Sequence, residues 1–155
     1  LIVPMLLCQE LVPLLQRSPE SAIVNLGSTF GGIGHPGFAV YCASKFGLRG
    51  FTESLRRELA DTSIKVFYLA PRATQTDMNS AAVVSLNREL GNAMDKHELV
   101  VAYLLSLLTD KPAGDYFMGW PEKLFVRINA LLPRIVDSAI GKQLATIKRF
   151  ATQSG

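Results

Sequence analysis

Two short runs rich in branched apolar residues, Ala22 to Leu26 and Ile64 to Ala70, flank a long segment of a different period. The first is bounded by Pro19 and Gly27 and the second is stopped by Pro71, so both read as buried strands. Between them, from Phe38 to Thr62, Val40, Ala43, Gly47, Phe51, Leu55 and Leu59 recur at steps of three and four. Arg49, Glu53, Arg56, Arg57 and Glu58 occupy other faces, which is the pattern of a long amphipathic helix. Strand, helix, strand is a crossover unit. It commits the chain to a parallel sheet, because a hairpin needs no such connection.

The remaining segments fit around that unit. Leu1 to Gln16 reads as a helix that closes at Arg17-Ser18-Pro19, since proline restricts the residue before it. Asn79 to Gly91 and Lys96 to Thr109 read as helices, and Asp115 to Gly119 as a further short strand before Pro121. Residues 1–120 form an α/β body, and 121–155 a basic amphipathic helical extension. In the extension Leu124, Phe125, Ile128, Leu131 and Leu132 precede a break at Pro133, after which come Ile135, Val136, Ile140, Leu144 and Ile147. Six basic and two acidic residues give it a net charge of +4, whereas the body, with ten basic and eleven acidic, carries −1. Two readings stand: the helices cover a sheet edge or an oligomer interface with a solvated basic face, or they attach to an anionic membrane surface.

Composition removes several classes. A chain of 155 residues has room for one domain, and 48% apolar with 19% charged residues excludes disorder. Cys8 and Cys42 are too few for a disulfide scaffold and lack the paired spacing of a zinc site, which fits a reducing, cytoplasmic setting. No apolar run approaches the ~20 residues that span a bilayer, and the first residues lack the pattern of a signal peptide, so the chain reads as soluble. The body has no basic stripe interleaved with aromatics, which sets nucleic acid aside.

The residues that carry chemistry are Ser28, Tyr41 and Lys45. Tyr41 and Lys45 are four apart at the start of the long helix and share a face. A free tyrosine, with a pKa near 10, is only about 0.1% ionised at neutral pH, and lowering that pKa by about three units needs about 4 kcal/mol. An ammonium ~4.5 Å away at an effective dielectric of about 20 supplies roughly that much. Tyr41 then exchanges protons near neutrality as a general acid or base, while Ser28 holds a substrate oxygen where charge develops.

Ile23-Val24-Asn25-Leu26-Gly27-Ser28, thirteen positions to Tyr41 through Pro36-Gly37, and then Tyr41-Cys42-Ala43-Ser44-Lys45 together resemble the short-chain dehydrogenase/reductase family. The resemblance covers most of residues 1–119. It implies a Rossmann-like, doubly wound parallel sheet, incomplete because the first strands are missing, and an NAD- or NADP-dependent oxidoreductase that interconverts a carbonyl and an alcohol. Ser28 is then expected to hold the substrate oxygen, Tyr41 to move the proton, and Lys45 to tune Tyr41 and bind the nicotinamide ribose. After the second strand the family usually has Pro-Gly-x-x-x-Thr, where this chain has Pro71-Arg72-Ala73-Thr74-Gln75-Thr76. Pro71, Thr74 and Thr76 are therefore expected along the cofactor. Arg72 departs from the pattern, and either points to solvent or contacts substrate.

The family's Thr-Gly-x-x-x-Gly-x-Gly turn and Asn-Asn-Ala-Gly segment do not occur, nor does the catalytic asparagine that normally precedes a segment like Leu1 to Leu7. The chain is expected to be the catalytic portion of a longer enzyme, and inactive alone. The alternative is a non-catalytic interaction module, membrane-attached through its basic helices. Asp77 to Met94, with Met78, Ala81, Ala82, Val83, Val84 and Leu86, is expected to form an apolar substrate lid. The resemblance also implies a homodimer or homotetramer, built through the long helix and the one before it, and a small carbonyl or alcohol substrate.

Other motifs carry less. Gly32-Ile33-Gly34-His35-Pro36-Gly37 matches a dinucleotide fingerprint, but it lies too far from its strand, Pro36 interrupts the helix start, and no acidic residue ends a next strand about 20 positions on. Its glycines are expected to serve close backbone approach near Ser28. Ser28 with His35 and Asp77 or Asp95 is no hydrolase triad, since Gly27-Ser28-Thr29-Phe30-Gly31 lacks the nucleophile elbow. His35 reads as a loop residue at the substrate entrance, His97 as surface or interface, and Cys42 as a structural thiol turned away from Tyr41.

Overall fold

The computed structural model describes residues 1–77, 79–92 and 94–151, residue 151 by its backbone alone. Three parallel strands, β1 (Ser21–Leu26), β2 (Ile64–Ala70) and β3 (Gly114–Phe117), lie in the order β1-β2-β3. The helices among the described residues are α1 (Ile2–Leu15), α2 (Ala39–Glu58), α3 (Ala81–Glu89), α4 (His97–Asp110), α5 (Trp120–Leu131), α6 (Pro133–Gly141) and α7 (Leu144–Ala151). The parallel sheet and its covering helices make this an α/β, Rossmann-like fold. None of those helices is long and apolar enough to cross a membrane.

The central strand explains the layering. Val66, Phe67, Tyr68, Leu69 and Ala70 are all 0% exposed, a continuous buried run that only a strand covered on both faces sustains. Val66 packs with Cys8 of α1 and with Leu55 and Leu59 at the end of α2, while Phe67 and Leu69 pack on the opposite face with Leu107 of α4. Each such fully buried side chain contributes about 1.5–3 kcal/mol.

Two expectations are corrected. Ala22 to Leu26 does not form a buried strand: Leu26 is 53% exposed and Asn25 is the strand's buried member. Within the described residues β1 has a strand neighbour on one side only. The inward face of α2 is also rotated from the apolar stripe. Val40 is 86% exposed, and the buried residues are Cys42, Leu48, Thr52 and Leu55. A polar group explains the difference. Thr52, 0% exposed, donates to the Leu48 carbonyl (2.6 Å) and accepts from Asn25 Nδ2 (2.9 Å), joining α2 to β1 through a contact that an apolar periodicity passes over.

Thr52→Val keeps the shape and leaves the Asn25 amide without that acceptor. Urea unfolding is expected to show a loss of about 1–3 kcal/mol through a lower midpoint at unchanged slope; a wild-type midpoint would contradict this.

Candidate active site

The carboxyl end of β1 is tied to β2 one residue at a time. Gly27 N–H donates to the Leu69 carbonyl (2.7 Å), and Thr29 N–H to the Pro71 carbonyl (3.2 Å). Between them, Ser28 N–H donates to Tyr68 Oη (3.3 Å), and the Tyr68 hydroxyl donates back to the Ser28 carbonyl (3.1 Å). Ser28 is extended (φ −162°, ψ 159°) and caps a short 3-10 turn, Thr29–Gly31, its Oγ accepting from Phe30 N–H (3.2 Å). An oxygen that accepts there still has its own proton to donate. Gly27 and Gly31 are required here, because a Cβ on Gly27 would collide with the Tyr68 ring and hydroxyl, and one on Gly31 with that hydroxyl and the Lys45 carbonyl. Burial pushes the Tyr68 phenol above its ordinary pKa, so it stays neutral.

Tyr41 and Lys45 stand on the first turns of α2. Phe30 places the tyrosine: its ring stacks on His35 (4.8 Å between centroids) and meets Tyr41 edge-on (6.3 Å). Cys42 is buried, and its Sγ accepts from His35 N–H (3.4 Å). Lys45 Nζ donates to the Leu26 carbonyl at the end of β1 (3.1 Å) and lies 5.6 Å from the centroid of the Tyr41 ring. Burial lowers the Lys45 pKa. One of its three N–H groups is used on Leu26, leaving two. Ser28, Tyr41 and Lys45 thus gather at the carboxyl end of β1, beside Pro71.

Thr74 and Thr76 lie further along the loop after β2. The Thr74 hydroxyl donates to the Arg72 carbonyl (3.0 Å), and Asn79 Nδ2 donates to the Thr74 carbonyl (2.6 Å) and to Thr76 Oγ (3.4 Å). Arg72 neither points to solvent nor stands free for substrate. Its Nε and Nη2 hold both oxygens of Asp95 (2.8 and 2.6 Å), a carboxylate 5% exposed. Two backbone bonds, Gln75 N–H to the Asp95 carbonyl and Asp95 N–H to the Ala73 carbonyl (2.8 Å each), close the same junction. The segment carrying α3 is therefore cinched at its base, and Asp95 has no freedom to serve a triad.

The carboxyl-terminal helices lie over this region. Val126 of α5 and Val136 of α6 form a buried cluster with Ile33, and Asn129 Nδ2 donates to the Gly32 carbonyl (3.0 Å). Arg149 of α7 pairs with Glu89 of α3. Between α3, α7 and Phe38 lies a mainly apolar cavity of about 200 Å³ lined by Ala82, Val83, Leu86 and Ile147. Met78, expected in the lid, is outside the described residues.

The family model for short chain dehydrogenases matches residues 2–98. The chain belongs to the short-chain dehydrogenase family. Similar proteins include the 3-oxoacyl-(acyl-carrier-protein) reductase of Staphylococcus aureus, 39% identical over 82 residues, covering 53% of this chain and 33% of the relative. The 3-oxoacyl-(acyl-carrier-protein) reductase of Bos taurus is 36% identical over 112 residues, covering 66% of this chain and 46% of its own length. The chain thus spans between a third and a half of the length of those relatives. A Burkholderia cenocepacia short chain dehydrogenase, solved with NADP bound, shares the fold with a TM-score of 0.69 at 21% identity, over 85% of this chain and 52% of that one.

Of the glycine pattern, Gly32 serves packing: a Cβ there would press into Val126 and Phe117, whereas one at Gly34 would meet open space. No local pattern points to the contacts of Tyr68, of Asp95 with Arg72, or of Asp115, whose carboxylate holds Arg49 (3.0 Å) and Arg56 (2.9 Å) of α2. A tyrosine in a buried strand is the one usable signal, because its hydroxyl must find a partner.

Two measurements test these contacts. Arg72→Gln strands the buried Asp95 carboxylate and is expected to raise trypsin cleavage after Arg88 in α3 by about tenfold, an effect Asp95→Asn reproduces; unchanged cleavage counts against the cinch. His35, whose pKa burial holds below 6.5, binds its proton more readily when unfolded. The stability it contributes is full above its unfolded pKa and falls as pH drops towards its folded value. Lowering the pH from about 7.5 to about 5.5 should depress the melting temperature, and His35→Gln should shrink that drop; an equal drop in both proteins would exclude His35 as its source.

Proposed function

We propose that the chain carries the catalytic portion of an NAD(P)-dependent oxidoreductase interconverting a carbonyl and an alcohol. The observation that carries this reading is the convergence of Ser28, Tyr41 and Lys45 at the carboxyl end of β1, where parallel α/β sheets place their ligands. The donor set fits the nicotinamide-ribose end of a dinucleotide: Lys45 has two N–H groups beyond its bond to Leu26, its Nζ lies 5.6 Å from the centroid of the Tyr41 ring, and Pro71, Thr74 and Thr76 belong to the neighbouring loop. When bound, the nicotinamide supplies or accepts the hydride.

The residues do the rest. Ser28 donates a hydrogen bond to the substrate oxygen. Tyr41 gives its proton to that oxygen as the carbonyl is reduced, or takes it in the reverse direction. The Lys45 ammonium, 5.6 Å from the centroid of the Tyr41 ring, is the cation beside the charge this transfer leaves. The apolar cavity beside Phe38 fits a substrate with a hydrocarbon arm, with α3 as its cover.

Residues 1–120 are assigned the catalytic role and 121–155 the covering one. Burial of Val126, Val136 and Ile147 against the body favours that reading of the basic helices over attachment to a membrane. Exposed Ile2, Val3, Leu6 and Leu7 on α1, with Val40 and Phe46 on α2, favour assembly into a homodimer or homotetramer.

Tyr41→Phe in the full-length protein is expected to lower turnover of a carbonyl substrate by about 10²–10⁴-fold while nicotinamide binding, followed by fluorescence, persists. Retained turnover would refute the assignment.

A further inference from the structure

We propose that Tyr68 is a positioning residue for Ser28, its hydroxyl fixing the direction in which Ser28 presents Oγ to a substrate oxygen. The inference rests on the role proposed for Ser28 and adds a residue that works through it.

The geometry is specific to one oxygen. In a fully extended residue the backbone N–H and C=O point to the same side, and Ser28 at φ −162° and ψ 159° is close to that limit. One hydroxyl can therefore accept from the N–H and donate to the C=O of the same residue, as Tyr68 Oη does at 3.3 and 3.1 Å. The Ser28 carbonyl has a second partner in Gly31 N–H (2.9 Å), whereas its amide is met by Tyr68. Bridging both groups locks the torsions on either side of the Ser28 Cα, and these aim the Cα–Cβ bond.

The surroundings are built to admit the hydroxyl. Gly27 and Gly31 leave the space it fills, and Phe117 packs against the ring (6.0 Å between centroids). Tyr68 is 0% exposed, so water cannot readily take its place. Burial keeps the phenol protonated, which the double role demands. A ring serving only to fill volume would need no oxygen between two backbone groups of Ser28.

Tyr68→Phe removes that oxygen and keeps the ring. In the full-length protein kcat is expected to fall about fivefold with nicotinamide affinity unchanged. In a Ser28→Ala background the same substitution is expected to change kcat no further, because its effect passes through the serine. Amide hydrogen exchange supplies a readout independent of turnover: Ser28 N–H should exchange faster in Tyr68→Phe while Val66 and Phe67 stay as protected as before. Equal losses of kcat in both backgrounds, or unchanged exchange at Ser28, would overturn the proposal. Should Ser28→Ala alone leave turnover intact, the role of Ser28 fails first, a result distinct from failure of the Tyr68 contact.

Discussion

Everything at the site hangs on the parallel pairing of β1 with β2, in a register that runs from Ser21 opposite Ile64 to Leu26 opposite Leu69. That ladder does not stop where the strands end. It passes into Gly27, Ser28 and Thr29, each of which bonds to β2 or the residue after it, so a loop that would otherwise be free inherits the precision of a sheet. Rigid elements hold a reacting group better than loops do, and here one strand lends its rigidity to the end of another.

Charge serves a similar end. Asp115 on β3 gathers Arg49 and Arg56 from α2, tying the helix that bears Tyr41 and Lys45 to the far strand. Asp95 does the same for Arg72 at the base of α3. Both carboxylates come from segments distant in sequence and take two guanidinium contacts each. Bidentate or doubled pairing of this kind gives directional restraint that a single exposed ion pair does not.

Much of the architecture was legible because it rests on local patterns. Pro19, Gly27 and Pro71 bounded the first two strands, and the change of period between them marked α2. The pairing of Tyr41 with Lys45 followed from helical spacing, and Ser28 from its position after a strand. The phase of α2 escapes an apolar stripe, because Asn25 and Thr52 meet as polar partners inside the core. The composition of β1 is that of an inner strand, and composition does not say whether a neighbour stands on each side. The partner of Arg72 lies 23 residues further on, beyond any helical or strand period. A buried aromatic such as Tyr68 has an ordinary explanation, and only three-dimensional proximity couples it to two glycines.

That coupling ties three positions into one inheritable unit. A side chain cannot be gained at Gly27 or Gly31 while Tyr68 stays, and a smaller residue at Tyr68 would open a void between them. Each single step away from the trio passes through a collision or a cavity, so Tyr68 holds both glycines in place and they in turn leave it room. Grafting this β1 loop onto a relative, or a relative's second strand into this chain, would succeed only if the tyrosine and both glycines travelled together.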